Sequence, residues 1–189
     1  MTQTKTINNV KAKNIDHKKL QNLALSGLFA ALIYLLTAFV RVPTGAGYTH
    51  AGDSAVFLAA CILPTPYAAA AAAVGGAMAD GLSGFAIWIP ATVIIKAVTS
   101  LFFTSRKGKI ICLRNIIALI PSLALCIVGY SLYQGIFMTD GFSSATIAAA
   151  FGQTPAYCVQ IAVGSGIYLA VGSLLDKTGL FKFIMHNAI

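Results

Sequence analysis

Three stretches of the chain are apolar over their whole length: Leu20 to Val40, Leu113 to Met138 and Pro155 to Leu175. Hydrocarbon about 30 Å thick is crossed by roughly 20 helical residues, so each predicts a transmembrane helix. A fourth span is expected from about Phe85 to Phe103, with Lys96 inside it. Ser54 to Ala79 is long enough for one more helix, but Pro64-Thr65-Pro66 interrupts it. Two prolines so close remove backbone donors and clash with the preceding turn. The expectation is two short helices, Ser54 to Leu63 and Tyr67 to Ala79, each about 15 to 20 Å long at 1.5 Å per residue.

Basic loops stay cytoplasmic, and this decides the number of spans. With the break, six spans put both termini inside together with Lys5, Lys11, Lys13, Lys18 and Lys19, the cluster Arg106, Lys107, Lys109 and Arg114, and Lys177 and Lys182. Eleven basic residues are then inside, with only Arg41 outside and Lys96 in the membrane; five spans leave five inside and seven outside. The expected fold is an all-α integral membrane protein of six transmembrane helices, two of them short, with N- and C-termini cytoplasmic. Residues 1–19 form a polar basic cytoplasmic N-terminus, 20–176 the membrane domain and 177–189 a cytoplasmic tail. Leu20 to Val40 is too long for a signal-peptide apolar region and lacks an A-x-A site, so no cleavage is expected. Interrupted helices at membrane depth are tolerated where protein or a watery cavity covers their ends, and the loops Arg41 to Asp53 and Asp80 to Ala86 are Gly-rich and polar. A pocket opening outward is the inference.

Composition narrows the function. Of 189 residues, 58% are hydrophobic and 10% charged, with mean hydropathy +0.81; soluble domains carry about 25% charged residues. A soluble enzyme is excluded, as is a disordered chain. The net charge of +8 lies beside apolar blocks, where it meets lipid headgroups and not nucleic acid. The acids are Asp16, Asp53, Asp80, Asp140 and Asp176, with no Glu, which is little material for a proton relay. Cys61, Cys112, Cys126 and Cys158 stand singly, so no metal site is expected. No G-x-x-x-x-G-K-[ST] is present, so the chain cannot hydrolyse ATP alone; uphill transport would draw on an ion gradient or on another subunit, and with only Lys96 charged inside the spans the partner-driven route fits better. Small residues spaced by four let helices approach closely in lipid: Gly27 and Ala31; Ala68, Ala72 and Gly76; Ala162, Gly166 and Ala170. Internal packing explains all three, and the first pair also reads as a docking face.

The motifs Gly47-Tyr48-Thr49-His50-Ala51-Gly52-Asp53, Ala79-Asp80-Gly81-Leu82-Ser83-Gly84, Trp88-Ile89-Pro90 and Ile95-Lys96 together resemble the substrate-binding S components of energy-coupling factor (ECF) vitamin transporters. The similarity extends over residues 20–175 and is greatest to the riboflavin-transporter-like branch that includes proteins assigned to hydroxymethylpyrimidine and vitamin B6. The resemblance implies a six-helix protein of the bacterial cytoplasmic membrane that captures a vitamin from outside. It implies docking on a transmembrane coupling protein and two ATPases, through small residues of the first helix, here Gly27 and Ala31, with Gly in place of the first Ala.

The candidate binding residues are chemically distinct. A lysine near mid-span costs about 2.5 to 3.5 kcal/mol, so Lys96 either contacts substrate, pairs with Asp53 or Asp80, or snorkels to the inner surface. Trp88, Thr92 and Lys96 share one helical stripe; Trp88 either stacks on a flat heterocycle or sits in the interfacial belt. Tyr48, His50 and Asp53 lie in the first outer loop, where Asp53 also reads as an N-cap. Asp80 ends a helix where a carboxylate opposes the dipole, so a partner is expected. Tyr130 and Gln134, and Tyr157 and Gln160, complete a hydrogen-bonding set or join helices, and Gly164 leaves room for a ring. The favoured substrate is pyridoxine or hydroxymethylpyrimidine; riboflavin or a queuosine precursor needs a larger cavity. A non-transporting assembly subunit is the alternative from another class, and neither a nucleophile–base pair nor a metal cluster supports an enzyme.

Overall fold

The computed structural model describes residues 2–44, 47–104, 108–139 and 143–179, with side chains from residue 17 onward. Arg106, Lys107, Asp140 and Lys182, and the side chains of Lys5, Lys11 and Lys13, lie outside the described residues. Helix α1 (Thr2–Ala38) is followed by strands β1 (Arg41–Thr44) and β2 (Gly47–His50), then α2 (Asp53–Ile62), α3 (Thr65–Leu82), α4 (Ile89–Leu101), α5 (Leu113–Ile117), α6 (Leu119–Phe137), α7 (Ser144–Ala150) and α8 (Thr154–Lys177). By length and composition, His17–Ala38, Leu113–Phe137 and Ser144–Lys177 can each cross a membrane. The outward faces carry large apolar side chains, among them Leu20, Leu28, Ile94, Ile120, Val159 and Leu174. A belt of that kind suits acyl chains and would drive association in water.

The proline break is present, but the helices around it differ from expectation. Pro64 caps α3, and Pro66 sits in its first turn, where the missing N–H leaves no bond unmade. Thus α3 begins earlier than Tyr67 and runs 18 residues, about 27 Å at 1.5 Å per residue. Of the six expected spans the two short ones are instead α2, with 10 residues, and α4, with 13 residues and a 3-10 turn, Ala86–Trp88, before it. All ten residues of α2 are buried, which satisfies the rule that a helix too short to cross must have its ends covered by protein.

Two further elements were not anticipated. The first outer loop is an antiparallel β-hairpin, pairing Arg41 with His50, Val42 with Thr49, Pro43 with Tyr48 and Thr44 with Gly47, so the fold is helical with one small sheet and not strictly all-α. Helix α7 starts at a capping box in which Ser143 and Thr146 satisfy each other's backbone N–H, the arrangement that lets so short a helix begin cleanly.

Glycines set the packing around α3. A Cβ at Gly75 would lie 2.6 Å from the carbonyl oxygen of Ala30 in α1, and one at Gly76 would lie 2.7 Å from Cγ2 of Thr92 in α4. Ala68, Ala72 and Gly76 are accordingly buried, whereas Gly27, Ala31, Ala162, Gly166 and Ala170 are exposed. The aromatic core under α2 joins Phe57 and Phe103, stacked at 4.9 Å, with Tyr168 edge-on to both.

At the end of the bundle away from the hairpin, Asn115 is fully buried and uses its whole amide. Its Nδ2 donates to Cys61 Sγ (3.2 Å), Thr104 O (3.1 Å) and Ile110 O (3.0 Å), and its Oδ1 accepts from Thr104 N (3.0 Å). Tyr168 Oη donates to Ile110 O at 3.0 Å, and the Asp176 carboxylate accepts from Ile110 N and Ile111 N, both at 2.9 Å. The segment leading into α5 is thereby stapled to α2 and α8.

Candidate functional site

At the hairpin end, the C-termini of α1, α3 and α6 and the N-termini of α2, α4 and α8 converge on a cavity whose empty space, open solvent at its mouth included, is about 480 Å³. Its apolar walls are aromatic: Tyr48, Trp88, Tyr130 and Tyr157. Tyr130 and Tyr157 stack at 5.7 Å, and Trp88 meets Tyr130 edge-on at 5.8 Å. Trp88 is only 6% exposed, so it is a wall of the cavity and not a belt residue. Slots between such rings hold flat, polarisable molecules.

The polar groups come from different elements. On β2, His50 lines the cavity, and its Nδ1 accepts the Gly52 N–H at 3.1 Å. Since Nδ1 is an acceptor, neutral His50 carries its proton on Nε2. Burial, helped by the Lys96 charge, lowers its pKa from 6.5 to about 3, so it is neutral at physiological pH. On α3, Asp80 Oδ1 accepts from Tyr48 Oη at 2.6 Å; Oδ2 has no hydrogen bond among the described residues, with the Thr92 hydroxyl close enough to act on it. The partner expected for Asp80 is therefore Tyr48 and not Lys96. The Arg41 guanidinium lies over the Tyr48 ring at 4.8 Å and the Phe85 ring at 5.7 Å, clamping the hairpin to the α3–α4 turn.

Beneath the cavity, Lys96 donates to Asp53 Oδ1 in a buried ion pair. Gln160 Nε2 donates to Asp53 Oδ2 at 2.7 Å. Lys96 is 2% exposed and absent from the cavity lining; of the sequence alternatives, the structure takes the Asp53 pair. Buried charges persist only when paired and hydrogen-bonded in this way. Asp53 makes no capping bond, and Gly52 occupies the N-cap, because the carboxylate is committed to Lys96 and Gln160.

Eight of the candidate residues thus surround one cavity: Tyr48, His50, Asp80, Trp88, Thr92, Tyr130, Tyr157 and Gln160. Asp53 and Lys96 form the charged layer below it. Gln134 does not line it. Nor does Gly164 make room for a ring: a Cβ there would lie 3.1 Å from Asp53 Cβ and 3.3 Å from Ser54 N, so its bareness seats α8 against the start of α2. Thr37, Thr44, Gly47 and Gln153 also line the cavity and were not among the candidates. Thr37 is 2% exposed, and its Oγ1 makes no hydrogen bond among the described residues. No cluster of three metal-ligating side chains occurs among the described residues.

The family model for the ECF-type riboflavin transporter S component matches residues 17–177. The chain belongs to this family. No curated protein matches it. Membership makes it a multi-pass membrane protein and a substrate-binding transporter subunit, not an enzyme, that works with components of an energy-coupling module.

Proposed function

We propose that this S component captures a small, flat B-vitamin-like heterocycle, of the size of pyridoxine or hydroxymethylpyrimidine, from outside the bacterial cytoplasmic membrane. The bundle crosses the membrane six times with both termini inside, and the hairpin lies over the mouth of the site. The carrying observation is the cavity itself: aromatic on its walls, polar at named points, with Thr37 Oγ1 and Asp80 Oδ2 making no hydrogen bond among the described residues. Buried polar atoms are normally satisfied, so orphaned ones facing a cavity are what a ligand would complete. A purely structural assembly subunit has no use for such a void.

The distribution of charge supports the orientation. Lys109, Arg114 and Lys177 lie near the Asn115–Asp176 end, on or beside the elements that meet there, while Arg41 lies at the cavity end. The substrate is handed over when the exposed Gly27–Ala31 face of α1 docks on a transmembrane coupling protein whose two ATPase partners use ATP. Riboflavin is the second reading, favoured by the name of the family model.

The test is a thermal-shift and Trp fluorescence titration of purified protein with pyridoxine, hydroxymethylpyrimidine and riboflavin, alongside mass spectrometry of co-purified ligand. A binder gains stability by mass action, about 2.7 kcal/mol at 100 times Kd, and Trp88, the single tryptophan, reports occupancy. A single-ring vitamin bound more tightly than riboflavin supports the first reading; the reverse order supports the second, and no response to any vitamin removes both.

A further inference from the structure

The polar atoms of the cavity have fixed hydrogen-bonding senses. A carboxylate only accepts, so the Gln160 amide must turn Nε2 toward Asp53 Oδ2, which leaves Oε1 as an acceptor. Asp80 Oδ2 is likewise an acceptor without a hydrogen bond. His50, with Nδ1 occupied by the Gly52 N–H, offers a donor at Nε2. Thr37 Oγ1, unpartnered, both donates and accepts. The fixed groups are thus two acceptors, one of them a carboxylate, and one donor.

Charge points the same way. Lys96 is consumed by Asp53, and the Arg41 guanidinium lies on the Tyr48 and Phe85 rings, outside the lining. Among the described residues no Lys or Arg lines the cavity, whereas phosphate and carboxylate ligands are ordinarily held by such groups. Three helix N-termini and three C-termini point at this end, so their dipoles largely offset one another. Among the described residues of the lining, the one formal charge is that of Asp80.

We infer that Asp80 is a specificity-determining residue: it accepts a hydrogen bond from a hydroxyl or amino group on the ring substrate, and its charge excludes the phosphorylated and carboxylated forms of the same ring. This rests on the reading of the cavity as the substrate site. It is independent of which ring binds, because the three candidate vitamins all exist as a free alcohol and as a phosphate ester.

The experiment measures Kd, on full-length protein in detergent or nanodiscs, for each free alcohol and its monophosphate: pyridoxine, hydroxymethylpyrimidine and riboflavin. Like charges brought together in a desolvated site cost several kcal/mol, so the alcohol that binds is expected to do so at least ~100-fold more tightly than its phosphate. In Asp80→Asn, which removes the charge, affinity for the alcohol falls and the discrimination shrinks below about tenfold. Tyr48→Phe deletes the hydroxyl on Oδ1 but keeps the carboxylate, and is expected to retain the discrimination at whatever affinity it binds. Equal binding of alcohol and phosphate by the unaltered protein overturns the inference and leaves the site assignment intact, as does equal relaxation by Asp80→Asn and Tyr48→Phe. Binding of none of the three alcohols overturns the site assignment and the inference with it. If Asp80→Asn does not fold, Asp80→Ser and the alcohol-to-phosphate ratio of the unaltered protein carry the decision.

Discussion

Two clusters of buried polar groups, one at each end of the bundle, are treated in opposite ways. At the Asn115 end both amide atoms of that side chain are bonded, and Tyr168 and Asp176 hold the same segment. At the hairpin end Thr37 Oγ1 and Asp80 Oδ2 make no hydrogen bond among the described residues, and the atoms beside them line a cavity. A polar group whose bonds are made internally contributes stability and nothing to recognition; one left open weakens the fold until a ligand completes it. The first end reads as a fixed staple and the second as a receptor.

That contrast is tested most severely at Asn115. Replacing it with Ala removes the side-chain bonds to Thr104 N and Thr104 O and one of the two bonds to Ile110 O, which keeps Tyr168 Oη, at about 1 to 3 kcal/mol for each group that finds no substitute. Asn115→Ala is therefore expected to lose roughly 3 kcal/mol of stability, read as a lowered midpoint in thermal unfolding of the detergent-solubilised protein, with ligand affinity in the surviving fraction unchanged. Thr37→Val is the matched change at the other end. Because Oγ1 has no internal partner, stability stays level or rises while ligand affinity drops. If the two substitutions behave alike, the distinction between the ends is wrong.

A smaller effect is expected from pH. The pKa of His50 is lowered from 6.5 to about 3 in the folded protein, first by burial and then by the Lys96 charge, against a weaker opposing pull from Asp53; the Tyr48 ring packs beside it at 5.7 Å. Between those values the unfolded chain binds a proton that the folded one refuses. Stability is full above pH 6.5 and declines as pH falls toward 3, by up to about 1.4 kcal/mol per unit from this residue. His50→Gln is expected to flatten that slope. An unchanged slope would mean that the imidazole is not held neutral by the closed hairpin.

Much of this was legible in the sequence for a physical reason: in a chain so apolar, each Lys, Asp, Trp or Tyr within a span needs a partner or a cavity, and its rarity makes it visible. Lys96, Asp53 and Asp80 stood out for that reason, although which pairs with which depends on how α2, α3, α4 and the hairpin are brought together. Thr37 was hidden, because a threonine in a helix ordinarily bonds its own backbone and signals nothing. The proline pair was read correctly as a break and incorrectly as shortening the helix after it; Pro66 is harmless in a first turn, and so α3 is long. The hairpin went unseen because two four-residue strands leave no alternation long enough to register.

The smallest expected effect on the fold separates two surfaces that look alike. Gly27 on α1 and Gly166 on α8 are both exposed, and a Cβ at either would meet nothing within 4 Å. Leucine at either position should leave stability within about 0.5 kcal/mol and leave ligand binding as it was, since neither residue lines the cavity. Uptake driven by the assembled transporter is where they part. Close approach of helix backbones in lipid depends on small residues at the contact, so a leucine on the docking face holds the partner off while one on a lipid-facing surface changes nothing. Gly27→Leu is expected to abolish vitamin uptake in cells while the purified subunit still binds its ligand, and Gly166→Leu to transport normally. The opposite result would move the docking face from α1 to the Ala162–Gly166–Ala170 stripe, and loss of uptake in both would mean that the two helices share it.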